Sequence, residues 1–133
     1  MRKKKKQAKN LFRHSIGKYG EKLAERHLFS KGFRILRRNY RTPFGEIDIV
    51  STYGKYLVFL EVKTRISEKF GTPFSSITRT KQKHIIRNCQ YYIKRHRIFN
   101  RPCRIDAVSV KLDINKNLQV LDHVTNVIEI EEN

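Results

Sequence analysis

Two short segments, Gly45-Glu46-Ile47-Asp48-Ile49-Val50 and Phe59-Leu60-Glu61-Val62-Lys63-Thr64-Arg65, constrain the fold of this chain more than any other part of it. Both read as apolar-rich β-strands with acidic residues at alternate positions, joined by a turn at Tyr53-Gly54-Lys55. Side chains alternate along a strand, so Glu46 shares a face with Asp48, and Glu61 with Lys63. A turn centred near Tyr53 and Gly54 sets Asp48 across from about Phe59 and diagonal to Glu61, roughly 7–8 Å away at the backbone. Carboxylates on strands this apolar are costly unless a positive group pairs with them. A divalent cation held by Asp48 and Glu61, with Lys63 beside it, is the most economical partner. Magnesium suits such a site, because it takes oxygen ligands and keeps several of its waters. An ion there would supply an acidified water and charge neutralisation, the requirements of phosphodiester hydrolysis, with Lys63 orienting the water or stabilising charge. The plain alternative for Asp48, Glu61 and Lys63 is an exposed salt-bridge ladder on the solvent face of a sheet; Glu46 is a secondary candidate, with an arginine at the mouth of the site as its alternative partner.

The charge balance bears on the partner. Lysine and arginine outnumber the acids 30 to 12 in 133 residues, giving net charge +18 and an isoelectric point near 10.3. Such an excess points to a polyanion, and nucleic acid is the expected partner. Residues 1–41 hold 15 basic and 2 acidic residues, and 81–104 hold 8 basic and none acidic. The acidic strands therefore lie between two basic stretches, an arrangement suited to gripping a phosphate backbone around a central cation. No run of apolar residues is long enough to span a bilayer, and no long basic helix with exposed aromatics favours a membrane surface. A lysine-rich start with no apolar stretch behind it does not make a signal peptide, so a cytoplasmic protein is expected. Cys89 and Cys103 have no CxxC spacing, and the five histidines form no HxH or HxxxH cluster, which gives no support to a disulfide framework or zinc knuckle.

The length fits one domain. Residues 1–14 read as a flexible basic arm, 15–126 as the α/β domain and 127–133 as a short acidic tail. A helix is expected from an N-cap at Ser15 to near Gly32, then strands over Phe33–Arg38, Glu46–Ser51 and Tyr56–Arg65. Residues 66–77, with Phe70-Gly71-Thr72-Pro73-Phe74, read as an ordered loop. A helix follows from about Thr80 to His96, with Ile85, Ile86, Cys89 and Ile93 on its apolar side. Strands over Arg104–Lys111 and Leu118–Val124 complete an α-β-β-β-α-β-β order, an α/β sandwich around a mixed sheet. Of Tyr91 and Tyr92, which could stack on bases, at least one is expected in the core.

These segments also resemble a known family. Gly17-Lys18-Tyr19-Gly20-Glu21, Arg38-Asn39-Tyr40, the two acidic strands, Phe70-Gly71-Thr72-Pro73, Lys81-Gln82 and Ile105-Asp106 together are similar to the YraN family, UPF0102, over roughly residues 17–110. That family looks like a small branch of the PD-(D/E)xK nucleases, with a restriction-endonuclease-like mixed β-sheet flanked by helices and a layout similar to Holliday-junction resolvases. The resemblance implies metal ligation by Asp48 and Glu61, a catalytic Lys63, completion of the site by Glu21, and a water- or substrate-orienting Gln82. By itself Glu21 would read as a solvated helix residue. The proline that names the superfamily motif is replaced here by Ile47. The same analogy suggests a homodimer.

The expected activity is a magnesium- or manganese-dependent endonuclease cutting DNA, with structure-selective, resolvase-like cleavage in view. The catalytic set is Asp48, Glu61, Lys63, Glu21 and Gln82, and Arg65, Lys81, Lys83 and Arg87 are the phosphate-contact candidates. The alternative is a non-catalytic nucleic-acid-binding accessory of repair or recombination. An acidic pocket facing phosphates gives a pure binder nothing. A third reading, an RNA- or ribosome-associated factor, has only the Gly17–Gly20 spacing in its favour.

Overall fold

The computed structural model describes residues 2–66 and 77–128. Helix α1 (Arg2–Ser30) precedes strands β1 (Arg34–Thr42), β2 (Gly45–Tyr53) and β3 (Tyr56–Ile66). Helix α2 (Arg79–Arg95) then leads to β4 (Cys103–Leu112) and β5 (Leu118–Ile128). The five strands form one mixed sheet in chain order; β3 and β4 run parallel, joined through α2, and the other neighbours are antiparallel. One helix covers each face, an architecture compatible with a restriction-endonuclease-like fold. The expected element order holds throughout. Among the described residues no helix is long and apolar enough to cross a membrane. The Phe70–Phe74 loop and the acidic tail beyond Ile128 lie outside the described residues.

Two cores sandwich the sheet. Every fourth residue of α1, from Ile16 through Gly20 and Ala24 to Leu28, is buried, and this stripe packs on Ile49, Val58, Leu60, Val108 and Val110. On the other face Cys89 and Tyr92 of α2 pack on Ile47, Val50, Leu57, Phe59 and Ile105. A four-residue period holds one face of a helix against a surface, and fully burying each large side chain contributes about 1.5–3 kcal/mol. Tyr92 thus takes the core position expected of one of the tyrosine pair, 4% exposed.

Local signals explain most boundaries. Gly32, at φ 92°, ends α1 in the left-handed region, and the Phe33 amide reaches back to the Leu28 carbonyl at 3.0 Å. Thr78 caps α2 by accepting from the Lys81 amide, and Lys94 and Arg95 sit in the last turn, where the helix dipole favours cations. Strand β1 runs on to Thr42 and β5 to Ile128, four residues past the expected ends, so that Val127 and Ile128 belong to the sheet and not to the tail, and one boundary fails at a helix start. Ser15 does not cap α1; the helix runs back to Arg2, with residues 2–15 all exposed. The basic segment indeed buries nothing. Lysine, arginine, glutamine, alanine and leucine are good helix formers, however, and they extend a helix already anchored at Ile16.

Candidate active site

The β2–β3 pairing runs from Tyr53 opposite Tyr56 up to Ile49 opposite Leu60, and there the strands part. Beyond that point residues 45–47 pair only with β1, and residues 61–66 only with β4. Where the next backbone bond would form, the Asp48 carboxylate accepts from the Val62 amide at 2.8 Å. The strand also turns over here: Ile47 packs in the α2 core and Ile49 in the α1 core, although residues two positions apart on a regular strand share a face. On neighbouring β1, Asn39 takes a left-handed φ of 49° between the pairs Arg38↔Ile49 and Tyr40↔Ile47. Asp48 is thereby turned into the fork, not laid along one face of a flat sheet.

This corrects the expected register. Phe59 lies opposite Val50, so Asp48 sits level with Glu61 and not diagonal to it. The sequence estimate was two positions off because it centred the turn on Tyr53 and Gly54, whereas Tyr53 pairs with Tyr56 and the turn centres on Gly54 and Lys55. The consequence is a closer approach of the two carboxylates. Burial, then the negative charge of Glu61, pushes Asp48 up to about 8, against the Val62 amide, which lowers it. Glu61 is also raised, first by burial; Lys63 and Lys81 oppose the rise, while Glu46 and Glu21 add to it. Asp48, Glu61 and Lys63 are all half-buried.

Both helices contribute. Gly20 lets α1 lie directly on β3: a Cβ there would stand 1.8 Å from Thr64 Oγ1 and 2.7 Å from Thr64 Cβ. The same Thr64 hydroxyl oxygen is buried without a hydrogen-bond partner. This contact brings the next residue, Glu21, to the rim of the fork, where Lys18 pairs with it at 4.0 Å. With its amide nitrogen turned toward Glu46, Asn39 donates to Glu46 Oε1 at 2.7 Å and accepts from Lys18 Nζ at 2.9 Å. Lys18 therefore ties together the acids on either side of the fork. On the α2 side, buried Asn88 accepts from Thr42 and donates to the Glu46 carbonyl at 3.5 Å, fixing the turn into β2. Gly45 at φ 147° is the residue that turn requires. Sequence reading missed Asn88 altogether, since an asparagine on a helix carries no local signal of its tertiary partners.

The remaining candidates divide. Exposed Lys81, in the first turn of α2, lies near enough to lower Glu61. Gln82 donates its side-chain amide to the Ile77 carbonyl at 3.3 Å, a local bond at the helix start. Lys83 and Arg87 are exposed along α2, with the Arg87 guanidinium 5.0 Å from the Phe44 ring. Arg65 instead lines a cleft on the α1 side together with Lys9 and Arg13. Of the four phosphate-contact candidates, Lys81 is thus felt at the fork from α2 and Arg65 lies on the α1 side, while Lys83 and Arg87 line a shallow surface with Thr80, His84 and Ile86.

Asp106 stands apart from this cluster. It is fully buried and accepts from the Arg104 guanidinium at 3.0 Å twice, the His123 ring at 2.8 Å and the Asn126 amide at 2.9 Å. Burial raises its pKa, but the His123, Arg104 and Asn126 bonds outweigh it and hold the carboxyl below its usual value. Arg104 in turn sits 5.2–5.8 Å from the rings of Phe33, Tyr53 and Tyr56. This network joins β4, β5 and the end of α1.

A divalent ion can be tested against the donors. Among the described residues no three His, Cys, Asp or Glu side chains come close enough to grip one ion as they stand. A closed structural zinc site is not what these residues make. Two opposed carboxylates, with their charge opposed by burial and by each other, fit magnesium or manganese, which need only one or two carboxylates.

Residues 20–110 match the model of the uncharacterised protein family UPF0102. A UPF0102 protein of Dehalococcoides mccartyi is 46% identical over 100 residues, covering 75% of this chain and 83% of its own length. One from Thermodesulfovibrio yellowstonii is 41% identical over 114 residues, covering 86% and 96%. Another, from Moorella thermoacetica, is 46% identical over 101 residues, covering 76% and 84%.

Proposed function

Because the chain belongs to the UPF0102 family, a family without an assigned activity, we propose its function from the fork itself: a magnesium- or manganese-dependent endonuclease of the PD-(D/E)xK type, acting on DNA in the cytoplasm. The observation that carries this reading is the opposition of Asp48 and Glu61 where β2 and β3 part, with Lys63 one step further along β3. Asp48 and Glu61 would hold the cation, and Glu21 would reach the same space from α1. When bound, such an ion neutralises charge on the scissile phosphate and acidifies a water.

The chain's own groups carry the rest. The Val62 amide fixes one Asp48 oxygen and leaves the other for the cation. The Lys63 ammonium, near enough to ease Glu61, stabilises negative charge that builds on the phosphoryl oxygens. Lys81, Lys83 and Arg87 from α2 hold the backbone to one side of the fork, and Arg65 holds it to the other. A basic shell around an acidic centre draws a phosphate backbone to the one place where it needs a cation.

The test is cleavage of labelled linear, nicked, flapped and four-way DNA with magnesium or manganese. Cutting is expected to need the metal and to fall by about 10²–10³ in Lys63→Ala, with DNA binding retained. Glu61→Gln should abolish it. Binding with no metal-dependent cut on any substrate would instead make the protein an accessory nucleic-acid binder.

A further inference from the structure

The first 19 residues precede the stretch that matches the family, and they carry a feature of their own. Residues 2–19 hold eight lysines and arginines and no acid. They form a continuous helix, and its Lys9, Phe12 and Arg13 stand beside the end of β3 that has parted from β2. Between the two lies an open cleft of about 560 Å³. Lys9 and Arg13 form one wall and Arg65 the other, while Ile16, Val62 and Ile66 make an apolar floor. Phe12, 50% exposed, stands in the same wall, and Lys116 approaches its ring to 5.7 Å. Glu21 lines the far end of the cleft, and its charge is felt by both Asp48 and Glu61. The cleft therefore opens onto the fork.

We propose that this cleft seats a single strand of nucleic acid, with phosphates on Lys9, Arg13 and Arg65 and a base against Phe12 and the apolar floor. Three cations spaced around a groove suit a phosphodiester backbone. An apolar floor and an exposed ring beside them suit unstacked bases, whose faces a duplex hides. A membrane surface is disfavoured, because Arg2 and Lys3–Lys6 are consecutive and put charge on every side of the helix, leaving no apolar face to embed. The inference rests on reading the fork as a site on nucleic acid, but it concerns binding and stands or falls without cleavage.

The test is fluorescence anisotropy of the full chain in EDTA, which removes any metal-dependent cutting. Probes are a labelled 20-nucleotide DNA strand, the same strand as RNA, and the DNA duplex; the tighter single strand identifies which polymer the cleft takes. Lys9→Ala/Arg13→Ala should weaken single-strand binding at least tenfold. It should also reduce the slope of log Kd against log salt by about 1.4, two contacts at roughly 0.7 each. Phe12→Ala should weaken the single strand about tenfold and the duplex far less. A charge-matched control, Lys31→Ala/Lys55→Ala, changes exposed residues at the opposite end of the sheet and should have little effect. Equal losses in the control, or a Phe12→Ala variant that binds single strands as tightly as the parent, would overturn the proposal. Loss of the strand site with cleavage intact, or the reverse, separates this inference from the catalytic one.

Discussion

At the level of single residues, half-buried Asp48 and fully buried Asp106 have opposite environments and opposite consequences. Asp48 is desolvated beside another carboxylate, so its folded-state pKa is raised to about 8. Between the unfolded value near 4 and that value, the folded state keeps a proton that the unfolded chain has lost. Metal-free stability must therefore fall as pH rises through this window, by at most about 1.4 kcal/mol per pH unit. His27, depressed by burial and by His123, has the opposite slope near its own titration, so the comparison to make is with Asp48→Asn. That variant keeps an acceptor for the Val62 amide and should be more stable than the parent above pH 7, with a flatter profile in chemical denaturation. Asp106 is lowered instead, so its contribution is present above pH 4 and is lost as pH falls through its folded value. Asp106→Ala strands Arg104 and the Asn126 amide. A loss of about 3–5 kcal/mol is expected, read as a shift of the denaturation midpoint at constant slope. The acids of the strands were legible in sequence because alternation marks them. Asp106 was marked only through the family resemblance, and its partners Arg104 and His123 were not marked at all, because their partnership spans two strands and shows no local spacing.

At the level of elements, the contact of α1 with β3 positions the rim of the site. Gly20→Ala would drive its Cβ into Thr64, a short side chain that cannot swing away, so α1 must lift off the sheet and carry Glu21 with it. Overpacking of this kind costs about 1–3 kcal/mol. The added Thr64→Ala change should recover only part of it, because the Thr64 Cβ itself lies 2.7 Å from the new methyl. Double-mutant thermal melts read this directly. The strands and both helices were readable from periodicity, turn residues and caps. The β2–β3 register was not, since a one-residue shift of the turn centre to Gly54 and Lys55 moves every partner by two positions, and the fork depends on the left-handed Asn39 and the reversal at Asp48, neither of which changes the hydrophobic pattern. The helical arm was missed for another reason: charge repulsion argued for disorder, and helix propensity prevailed once Ile16 anchored the next turn.

At the level of the whole molecule, the packed sandwich begins at Ile16, and seven of the 30 lysines and arginines precede it. None of residues 2–14 is buried, although Phe12 meets Lys116. Deleting these residues should shift the melting midpoint by no more than a few degrees and leave the denaturant slope nearly unchanged. Seven positive charges would go with them, and nucleic-acid affinity at low salt should fall steeply.

The account depends on Asp48 and Glu61 acting together as a cation site, and calorimetric titration of the EDTA-stripped protein with manganese at pH 7.5 tests it most directly. One ion should bind per chain and displace about one proton, seen as a dependence of the heat on the buffer's ionisation enthalpy, with both signals gone in Asp48→Asn. An absence of binding, or binding that survives unchanged in Asp48→Asn and in Glu61→Gln, would contradict it.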